Sequence, residues 1–343
     1  MSERSDSDPL VLAFDGGSTK TDVLLVSGRG TVLGRARVGA SNHQLVGLQG
    51  TIAALTEAVA AVTADARLPD VEFPLCPIGV YCLAGIDLPV DEEKLAPAID
   101  ELGWTERVIL RNDTFAVSRS GTTSYWGIGV VCGTGMNCAA VGPDGRTVRF
   151  PALAELSGDF APGGAWLGLR ALGLALRAGD GRGPATSLRA RVAAHLGTPD
   201  PEAALSGLYT GSIEYGRLFE LARVLLDAAA EGDEPARAAA DTLADEAVAF
   251  VRAAVVRLEL QDEAVEVVLG GGIFDTTDTA FHARVEAGIH AVAPRAELVR
   301  LDAPPVLGAA LIGLDAEGVP AHSSSALRRA LRDSAVGGTT GAA

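Results

Sequence analysis

Two stretches of the chain follow the same order of elements, and this repeat constrains the fold more than any other feature. Residues 10–38 and 124–150 each predict a strand, a turn of glycine and hydroxyl residues, a second strand, a tight turn and a third strand. The two turns correspond in position: Gly17-Ser18-Thr19 in the first copy and Gly133-Thr134-Gly135 in the second. The sequence therefore predicts a duplicated β-β-β-α-β-α unit.

Helices and strands alternate after each triple of strands, which is typical of the α/β class. After the first triple we predict a helix at 48–66, a strand at 77–85, a helix ending at Gly103, a strand at 107–110 and a polar turn at 111–114. After the second we predict helices at 164–178, 185–196, 200–206, 211–231 and 234–260, a strand at 264–274, a helix at 279–292, a strand at 296–301 and a helix at 305–314. We expect two domains, residues 1–118 and 119–319, with a helix at about 320–335 that can pack back on the first.

The charge balance and the cysteines limit the classes of partner. The formal net charge of -16 argues against nucleic acid or an anionic membrane surface, because both demand a basic protein face. The four cysteines form no C-x-x-C pair, and a chain of 343 residues does not need disulfides to fold. The start lacks the pattern of a secretory signal, and no apolar run approaches the roughly 18 residues of a membrane-spanning helix. We expect a cytoplasmic protein.

The first glycine turn combines groups that hold a phosphate. Its glycines let backbone N–H groups face a ligand, Ser18 and Thr19 add hydroxyl donors, as does Thr21, and Lys20 adds a positive charge. Asp15 ends the preceding strand, and a carboxylate there attracts phosphate only when it holds Mg²⁺. The second turn has similar groups. A third turn, at residues 270–272, lacks hydroxyls and suits close approach to a base or a sugar.

Each turn has an ordinary explanation when it is taken alone. A glycine-rich hairpin turn is usually only a turn, and a triple glycine is usually a tight entry into a helix. The chain also lacks the G-x-x-x-x-G-K-[ST] pattern, and no G-x-G-x-x-G opens a helix. The combination of three such turns at the strand ends of a duplicated unit is what favours nucleotide binding.

In this order and spacing, the motifs resemble those of the sugar kinase, heat-shock ATPase and actin superfamily. "DGGSTKTD" is similar to its first phosphate motif, "GVVCGTGMNC" to its second and "VVLGGGIF" to its adenosine motif. From residue 10 to about 315 the chain resembles the N-acetylglucosamine kinase-type proteins grouped with the BadF/BadG/BcrA/BcrD ATPases. The resemblance implies an α/β fold of duplicated ribonuclease H-like (actin-like ATPase) domains with a cleft between them, and it implies ATP and Mg²⁺ as cofactors.

The resemblance also implies roles for individual residues. Asp15 is expected to hold the metal, and Asp113 is expected to be the catalytic base. The residues implied for ATP are Gly16, Gly17, Ser18, Thr19, Lys20, Gly133, Thr134, Gly135, Gly270, Gly271 and Gly272. The residues implied for the substrate are Asn42, Asn112, Asp113, Asn137 and Asp159. On local sequence alone, Asp113 is equally well a turn residue that caps the following helix, and His43 is expected to be structural.

Two departures from the family pattern concern the sugar pocket. Phe160 follows Asp159 where the family has the glutamate of "GDEGS", and the loop is expanded by two residues. Gln44 stands where the family has the aromatic residue of "NHW". Both changes alter the pocket for an acetamido group and leave a free amine or another modified sugar open. The loop at 178–186 is either a lid, a second anchor or a solvated turn.

We predict an ATP-dependent N-acetylglucosamine kinase that transfers the γ-phosphoryl group to the 6-hydroxyl of a small-molecule sugar, with a homodimer implied by the resemblance. A kinase of glucosamine or of another modified hexose is the alternative substrate class. An ATPase that drives a partner enzyme is the alternative activity, because such activators bridge an iron–sulfur cluster and Cys132 and Cys138 flank the second turn. Burial of small residues is the better explanation for these cysteines. A sugar-sensing regulator is not supported, since no helix-turn-helix segment precedes residue 10.

Overall fold

The computed structural model describes residues 8–68 and 71–337, with side chains as far as residue 332. The chain divides into two compact units. The first contains residues 1–129, 139–145 and 301–343, and the second contains residues 130–138 and 146–300. The domain ranges 1–118 and 119–319 stay predictions, because a compact packing unit need not be a domain that folds alone.

The secondary structure alternates as the α/β class requires. The strands in chain order are β1 (Pro9–Gly16), β2 (Thr21–Ser27), β3 (Val32–Val38), β4 (Cys76–Leu83), β5 (Thr105–Asn112), β6 (Gly127–Cys132), β7 (Met136–Val141), β8 (Thr147–Arg149), β9 (Glu266–Gly270) and β10 (Glu297–Arg300). The helices are α1 (His43–Asp65), α2 (Pro89–Asp100), α3 (Asp113–Gly121), α4 (Gly164–Asp180), α5 (Leu188–Leu196), α6 (Pro201–Thr210), α7 (Arg217–Ala230), α8 (Glu234–Leu258), α9 (Thr279–His290), α10 (Pro305–Ala316) and α11 (Ala321–Gly337). A short 3-10 helix covers Ala154–Ser157.

The two sheets repeat one topology, which confirms the predicted duplication. The first sheet has the order β3-β2-β1-β4-β5, and the second has the order β8-β7-β6-β9-β10. In the first sheet β2 runs antiparallel to both β1 and β3, whereas β1, β4 and β5 are parallel to one another. β9 and β10 are parallel as well. The tight turn between β1 and β2 therefore has its counterpart between β6 and β7.

The alternation of side chains along β1 decides where its last acid points. Leu12 and Phe14 pack in a core with α1, on one face of the first sheet. Val11 and Ala13 pack in a second core with α10, on the other face. Because side chains alternate between the two faces of a strand, the Asp15 side chain is on the same face of β1 as Val11 and Ala13. Asp15 therefore lies on the face covered by α3 and α10.

Hydrogen bonds and close packing link three helices on that face, α3, α10 and α11. Arg119 of α3 donates to Asp315 of α10 at 2.6 Å and 3.1 Å, and Arg328 of α11 donates to the carbonyl oxygen of Ser120 at 2.6 Å. A Cβ on Gly308 of α10 would lie 1.9 Å from a backbone oxygen of α3, so only glycine permits this approach. Residues 301–332 thus help to fix α3 on this face of the sheet.

Within the described residues, α1 is long and apolar enough to cross a membrane by length and composition. The expectation that no segment reaches this limit was therefore wrong. Leu55, Ala58 and Val62 of α1 are fully buried in the core of the first unit. These contacts are those of a core helix, and Gly47 interrupts the helix with a φ of 71°.

One predicted boundary close to the site is wrong, and one predicted helix has an additional turn before it. β5 continues through Asn112 and α3 begins at Asp113, so there is no polar turn at 111–114. The helix predicted at 48–66 matches the part of α1 after the break at Gly47, and α1 itself begins earlier, at His43. In both places an asparagine side chain caps the helix, so the chain passes into the helix without an intervening loop.

Candidate active site

The first glycine turn is held by backbone hydrogen bonds that leave its tip exposed. The Gly17 N–H donates to Lys20 O at 2.8 Å, and Gly17 O accepts from Ser41 N at 3.1 Å. A Cβ on Gly16 would lie 2.2 Å from Ser41 Oγ, so this position excludes other residues. The exposed residues of the tip are Ser18, Thr19 and Lys20. The turn is rigid at its base and open to a ligand at its tip.

Thr21 does not belong to the exposed tip, and its predicted role as a hydroxyl donor to a ligand was wrong. Its side chain is fully buried, and Oγ1 donates to Gly39 O at 2.8 Å. The reason is its position as the first residue of β2, where it faces the segment after β3. Thr21 fixes the turn and does not face solvent.

Asp15, Asp22 and Arg37 stand side by side across three strands. Asp15 pairs with Asp22 in the β1–β2 register, and Asp22 pairs with Arg37 in the β2–β3 register. Asp22 accepts hydrogen bonds from Lys20 Nζ at 2.7 Å and from Arg37 Nε at 2.5 Å. Burial alone would raise the pKa of Asp22, but these two cations hold it below its ordinary value. Asp22 is therefore a permanent anion at pH 7.

Asp113 is the first residue of α3 and is partly buried. Its burial, followed by the nearby charge of Asp87, raises its pKa to about 6. Hydrogen bonds from the backbone N–H groups of Thr114 and of Asp113 itself act in the opposite direction. Such a carboxylate is ionised at pH 7 and still basic enough to accept a proton from a bound hydroxyl.

Asn112, and not Asp113, caps α3. Asn112 Oδ1 accepts the Thr114 N–H at 3.0 Å, which is the contact expected of a helix cap. The local alternative, in which Asp113 caps the helix, was wrong for this reason. The Asp113 carboxylate is therefore not the cap of α3, and a carboxylate has lone pairs beyond those used by its two backbone N–H donors.

Asp15 is the second acid of the first unit with a strongly altered pKa. Burial, followed by the charges of Asp113 and Asp22, raises the pKa of Asp15 to about 7. Lys20 and Arg37 lower it in part. Gly16 and Asn112 both lie opposite Leu83 in the parallel register, so Asp15 and Asp113, one residue before and one residue after them, lie at the same edge of the first sheet.

Asn42 connects the first turn to the loop after β4. Its Nδ2 donates to Ser18 Oγ at 3.0 Å, and its Oδ1 accepts the Gln44 N–H at 3.0 Å as the cap of α1. A Cβ on Gly85 would lie 2.4 Å from Asn42 Oδ1, and Gly85 has a φ of 84°. Asn42, which was predicted to bind sugar, is thus fixed between the first glycine turn and Gly85.

Asp87 joins the predicted sugar residues, although the sequence-based prediction missed it. It accepts hydrogen bonds from Asn112 Nδ2 at 3.2 Å and from Gln44 Nε2 at 3.0 Å. Gln44 Nε2 also donates to Gly85 O at 3.0 Å. The available signal was an acid just after a buried strand, where ligands bind in parallel sheets. The Asn112 amide has a positioning role in this network, and its contact with a sugar stays a prediction.

His43 supports the same loop from α1. Its Nε2 lies 3.1 Å from Asp91 Oδ1, and Asp91 Oδ2 accepts the backbone N–H groups of Asp87 and Leu88 at 3.1 Å and 2.8 Å. His43 Nδ1 is buried without a partner among the described residues. These contacts agree with a structural role for His43.

In the second unit, the second glycine turn is fixed by the start of α4. The Gly164 N–H donates to Gly133 O at 2.8 Å, and the next N–H of α4 donates to Thr134 O at 2.8 Å. A Cβ on Gly163 would lie 2.4 Å from the carbonyl carbon of Gly135. Thr134 and Gly135 are exposed. The turn is again rigid at its base and open at its tip.

The third glycine turn packs beside the second. Gly270 is the buried last residue of β9, and Gly271 follows with a φ of 94°. A Cβ on Gly271 would lie 2.4 Å from Cys132 O, and the Ile273 N–H donates to the same oxygen at 3.1 Å. Gly271 and Gly272 are exposed. Of the three predicted residues, only these two offer their backbone to a ligand.

A cavity of about 240 Å³ opens beside these two turns. Gly133 and Gly272 line one side, and Phe219, Ala222 and Leu226 of α7 line the other. Their spacing places the three α7 residues on one face of the helix. Glu220 and Arg223 of α7 line the cavity as well, so its wall offers apolar surface to a flat ring such as a nucleotide base and charged groups to polar atoms. The prediction from sequence missed α7, since periodicity shows that a helix face is apolar but not what lies against it.

The remaining predicted substrate residues lie in the second unit. Asn137 is a partly buried residue of β7, and its Oδ1 accepts the Cys138 N–H at 2.7 Å. Asp159 is buried after the 3-10 helix and accepts a hydrogen bond from Ser157 Oγ at 2.9 Å. Burial, followed by the charge of Glu155, raises the pKa of Asp159. Phe160 is 81% exposed, so the departure from the family pattern leaves an apolar ring at the surface of the second unit.

The loop at 178–186 is explained by local contacts. α4 runs to Asp180, whose Oδ2 accepts a hydrogen bond from Arg182 Nε at 2.8 Å. Thr186 Oγ1 donates to Asp233 Oδ2 at 2.8 Å. These contacts form a helix end and the connection to α5. A role for this loop as a lid or anchor stays a prediction.

The Asp15 carboxylate, next to the first glycine turn, fits a magnesium ion that is bound together with phosphates. The described residues contain no group of three or more His, Cys, Asp or Glu side chains that could hold a metal ion alone. Mg²⁺ does not require such a group, because water and substrate phosphates supply most of its ligands. A cation beside Asp15 would relieve the repulsion that raises the pKa of this carboxyl.

The duplicated sheets and their glycine turns define a class, the sugar kinases and ATPases of the actin-like fold. Within this class, the chain belongs to the BadF/BadG/BcrA/BcrD ATPase family, whose sequence profile matches residues 13–313. The predicted family and fold are therefore confirmed.

Individual relatives support the same placement. The chain is 26% identical over 319 residues to the N-acetyl-D-glucosamine kinase of Dictyostelium discoideum, covering 91% of this chain and 99% of the relative. It is 27% identical over 192 residues to the N-acetylmuramic acid/N-acetylglucosamine kinase of Clostridium acetobutylicum, a match that covers 56% of this chain and 62% of the relative. A solved structure from Chromobacterium violaceum, provisionally assigned as an N-acetylglucosamine kinase, is 27% identical with a TM-score of 0.68, covering 90% of this chain and 99% of its own.

Proposed function

We propose that this protein is an ATP-dependent amino-sugar kinase. The observation that carries the proposal is Asp113, a partly buried carboxylate with a pKa of about 6 at the start of α3. It shares a sheet edge with Asp15 and with the exposed glycine turn that ends in Lys20. A base, a metal-binding carboxylate and a phosphate turn in one unit are the parts that phosphoryl transfer needs. The named relatives are kinases of amino sugars.

The roles follow from the chemistry of each group. Asp113 accepts the proton of the sugar hydroxyl while the hydroxyl oxygen attacks the γ-phosphorus of ATP. A new O–P bond forms, the bond from the γ-phosphorus to the β,γ-bridging oxygen breaks, and ADP leaves with that electron pair. The backbone N–H groups at the exposed tip of the first turn, with the hydroxyl groups of Ser18 and Thr19, bind the phosphate oxygens, and Lys20 balances their charge.

Mg²⁺ is the proposed metal, and Asp15 is the residue that would hold it, directly or through water. When bound, the ion neutralises charge on the phosphates. In the second unit, Gly133, Thr134 and Gly135 are the proposed second phosphate turn. Gly271 and Gly272, after Gly270 of β9, are the proposed contact for the adenosine, with the adjoining cavity for its base.

The proposed substrate is N-acetylglucosamine, phosphorylated on its 6-hydroxyl, and the names of the relatives support it. Asn42 and Asn112 in the first unit, and Asn137 and Asp159 in the second, are the proposed sugar residues. Glucosamine or another modified hexose is the second candidate, because Gln44 and Phe160 replace family residues at the acetamido pocket. We also propose a cytoplasmic homodimer. The four cysteines of the chain are free, as is usual in the reducing cytoplasm, and this supports the proposed location. The family likeness supports the dimer.

An ATPase that drives a partner enzyme through an iron–sulfur cluster is less well supported. Cys132 and Cys138 are buried, and burial raises the pKa of the Cys132 thiol to about 12 and that of Cys138 as well. A cluster needs accessible thiolates. Iron analysis of purified protein tests this alternative, since a stoichiometric cluster would favour it.

ADP release tests the kinase proposal. We expect turnover with N-acetylglucosamine or glucosamine that exceeds turnover with glucose, with N-acetylmuramic acid and without sugar. Asp113→Asn is expected to lower the sugar-dependent rate at least about 100-fold while nucleotide still binds. Asp100→Asn, at an exposed acid on α2, is the matched control and is expected to leave the rate unchanged. Full turnover by Asp113→Asn would remove Asp113 from the role of base.

A further inference from the structure

Two cations share one carboxylate beside the first glycine turn. Asp22 Oδ2 accepts hydrogen bonds from Lys20 Nζ at 2.7 Å and from Arg37 Nη2 at 3.0 Å. Asp22 Oδ1 accepts one from Arg37 Nε at 2.5 Å. The three side chains together carry one net positive charge, in a protein whose formal net charge is -16, and Asp15, opposite Asp22 in the β1–β2 register, offsets part of that charge when it is ionised. Two exposed cations on a buried carboxylate suit an anionic ligand, most of all when a metal ion neutralises Asp15.

The sheet places all three side chains on one face. Arg37 lies directly opposite Asp22 in the β2–β3 register, and Lys20 is two residues before Asp22 at the exposed end of the turn. The Asp22 side chain is only 11% exposed, whereas those of Lys20 and Arg37 are 45% and 63% exposed. The anion is therefore the buried support, and the two cations are the groups that meet solvent.

Both cations keep unused hydrogen-bond donors. A guanidinium has five N–H donors and an ammonium has three. In the described part of the chain, Arg37 uses two of its donors and Lys20 uses one, all of them toward Asp22. The remaining donors point to no protein acceptor among these residues, and Lys20 directly follows Ser18 and Thr19 in the exposed turn.

We propose that Arg37 and Lys20 bind the terminal phosphates of the nucleotide as a pair, with Asp22 as the residue that positions both. The inference rests on the proposed function and adds Arg37, which no sequence motif includes. A guanidinium offers phosphate two parallel N–H···O bonds, so Arg37 contributes direction as well as charge. Because Asp22 already restricts both side chains, little conformational freedom remains to be lost when the phosphates bind.

A purely structural ion pair between Asp22 and Arg37 is the competing explanation, since cross-strand charge pairs stabilise sheets modestly. Arg35 provides the matched control. It lies on the same strand and the same face, is exposed, and is opposite Leu24 instead of an acid. Its side chain has no ion-pair partner among the residues that the structure describes. Arg35→Met thus removes an equal charge without touching Asp22.

Calorimetric titration of the sugar-free protein separates the two explanations. Arg37→Met is expected to weaken binding of the magnesium complex of a non-hydrolysable ATP analogue about tenfold, while binding of adenosine stays within about twofold. Arg35→Met is expected to change both by less than about twofold. The affinity of the unaltered protein for the analogue should also fall more steeply with added KCl than that of Arg37→Met. Equal analogue binding by Arg37→Met and the unaltered protein would overturn the proposal.

Two further measurements keep the outcome decisive. If Arg37→Met lowers the melting temperature, Arg37→Gln takes its place, because an amide can still donate to Asp22 without a charge, and the same tenfold loss is expected. If the unaltered protein does not bind the analogue at all, the proposed kinase function fails. If it binds and the Arg37 variants bind equally well, only the role of Arg37 fails.

Discussion

The side-chain amide of Asn112 donates a hydrogen bond of 3.2 Å to Asp87 Oδ1. Asn112 ends β5 and Asp87 follows β4, so this contact joins the ends of two neighbouring parallel strands. It also holds the charge of Asp87 close to Asp113, and that charge is one reason for the raised pKa of Asp113. The sheet edge thus sets both the position and the basicity of the proposed base.

Asp87→Asn should move the pH dependence of turnover to lower pH. Asp113 must be ionised to accept a proton, so activity is expected to fall as the pH decreases through about 6. Removing the Asp87 charge favours the ionised form of Asp113, so the midpoint of kcat/KM should shift downward by about half a pH unit to one unit. Burial of Asp113 is unchanged, so the midpoint should stay above the ordinary value of a carboxyl.

The control for this shift is Glu93→Gln, at an exposed acid on α2. It removes the same charge from the first unit and is expected to leave the midpoint where it is. A midpoint that stays near pH 6 in Asp87→Asn, or one that moves equally in both variants, would show that Asp87 does not tune Asp113.

Local chemistry made the hairpin turns predictable. Glycines and hydroxyl residues between two apolar runs mark a turn whatever the rest of the chain does, and β1, β2 and the first turn lie where the sequence predicts them. The repeated order of elements made the duplicated topology predictable in the same way. The start of α3 was less predictable, because Asn112 is both the last residue of β5 and the cap of α3, so no loop separates the strand from the helix.

The partners of the site residues could not be predicted, because they depend on strand register and on packing. The sequence does not show that Arg37 stands opposite Asp22, or that Gln44 reaches Asp87. It also does not show that α7 borders the cavity beside the second turn. Thr21 illustrates the same limit, since one position along the chain separates an exposed turn residue from a buried strand residue.

Asp15→Asn should stabilise the protein without ligand, most clearly at pH 8. The pKa of Asp15 is about 7 in the folded protein and near the ordinary 3.8 when unfolded. Between these values the folded state binds more protons than the unfolded state, so the free energy of unfolding falls as the pH rises. Asparagine removes this loss, and we expect a gain of about 1–3 kcal/mol at pH 8 and less than about 1 kcal/mol at pH 5.

Urea unfolding at both pH values measures the effect, and ADP release by the same variant is expected to be lost. A stabilised but inactive variant is the signature of a strained functional carboxylate. An equal change at pH 5 and pH 8 would mean that ionisation of Asp15 does not oppose folding, and that the carboxylate is not crowded by its neighbours.

Gly164→Ala should weaken nucleotide binding, whereas Gly173→Ala on the same helix should not. A Cβ on Gly164 would lie 2.6 Å from Gly133 O, so the start of α4 must move away from the second turn. Nothing lies within 4 Å of a Cβ on Gly173, where alanine should stabilise the helix slightly. We expect about 1–3 kcal/mol of destabilisation for Gly164→Ala, with at least about tenfold weaker binding of an ATP analogue. Equal affinity in both variants would remove the second turn from the nucleotide site.

Gln44→Ala should raise the KM for the sugar and leave the KM for ATP unchanged. Gln44 Nε2 donates to both Asp87 Oδ2 and Gly85 O, so alanine releases the loop that also touches Asn42. Loss of two hydrogen bonds, one of them to a charged group, is expected to raise the sugar KM about tenfold. Gln49→Ala, at an exposed position of α1, is the matched control and should change neither constant. If Gln44→Ala raised both KM values equally, Gln44 would stabilise the first unit in general. An unchanged sugar KM would separate Gln44 from the sugar pocket.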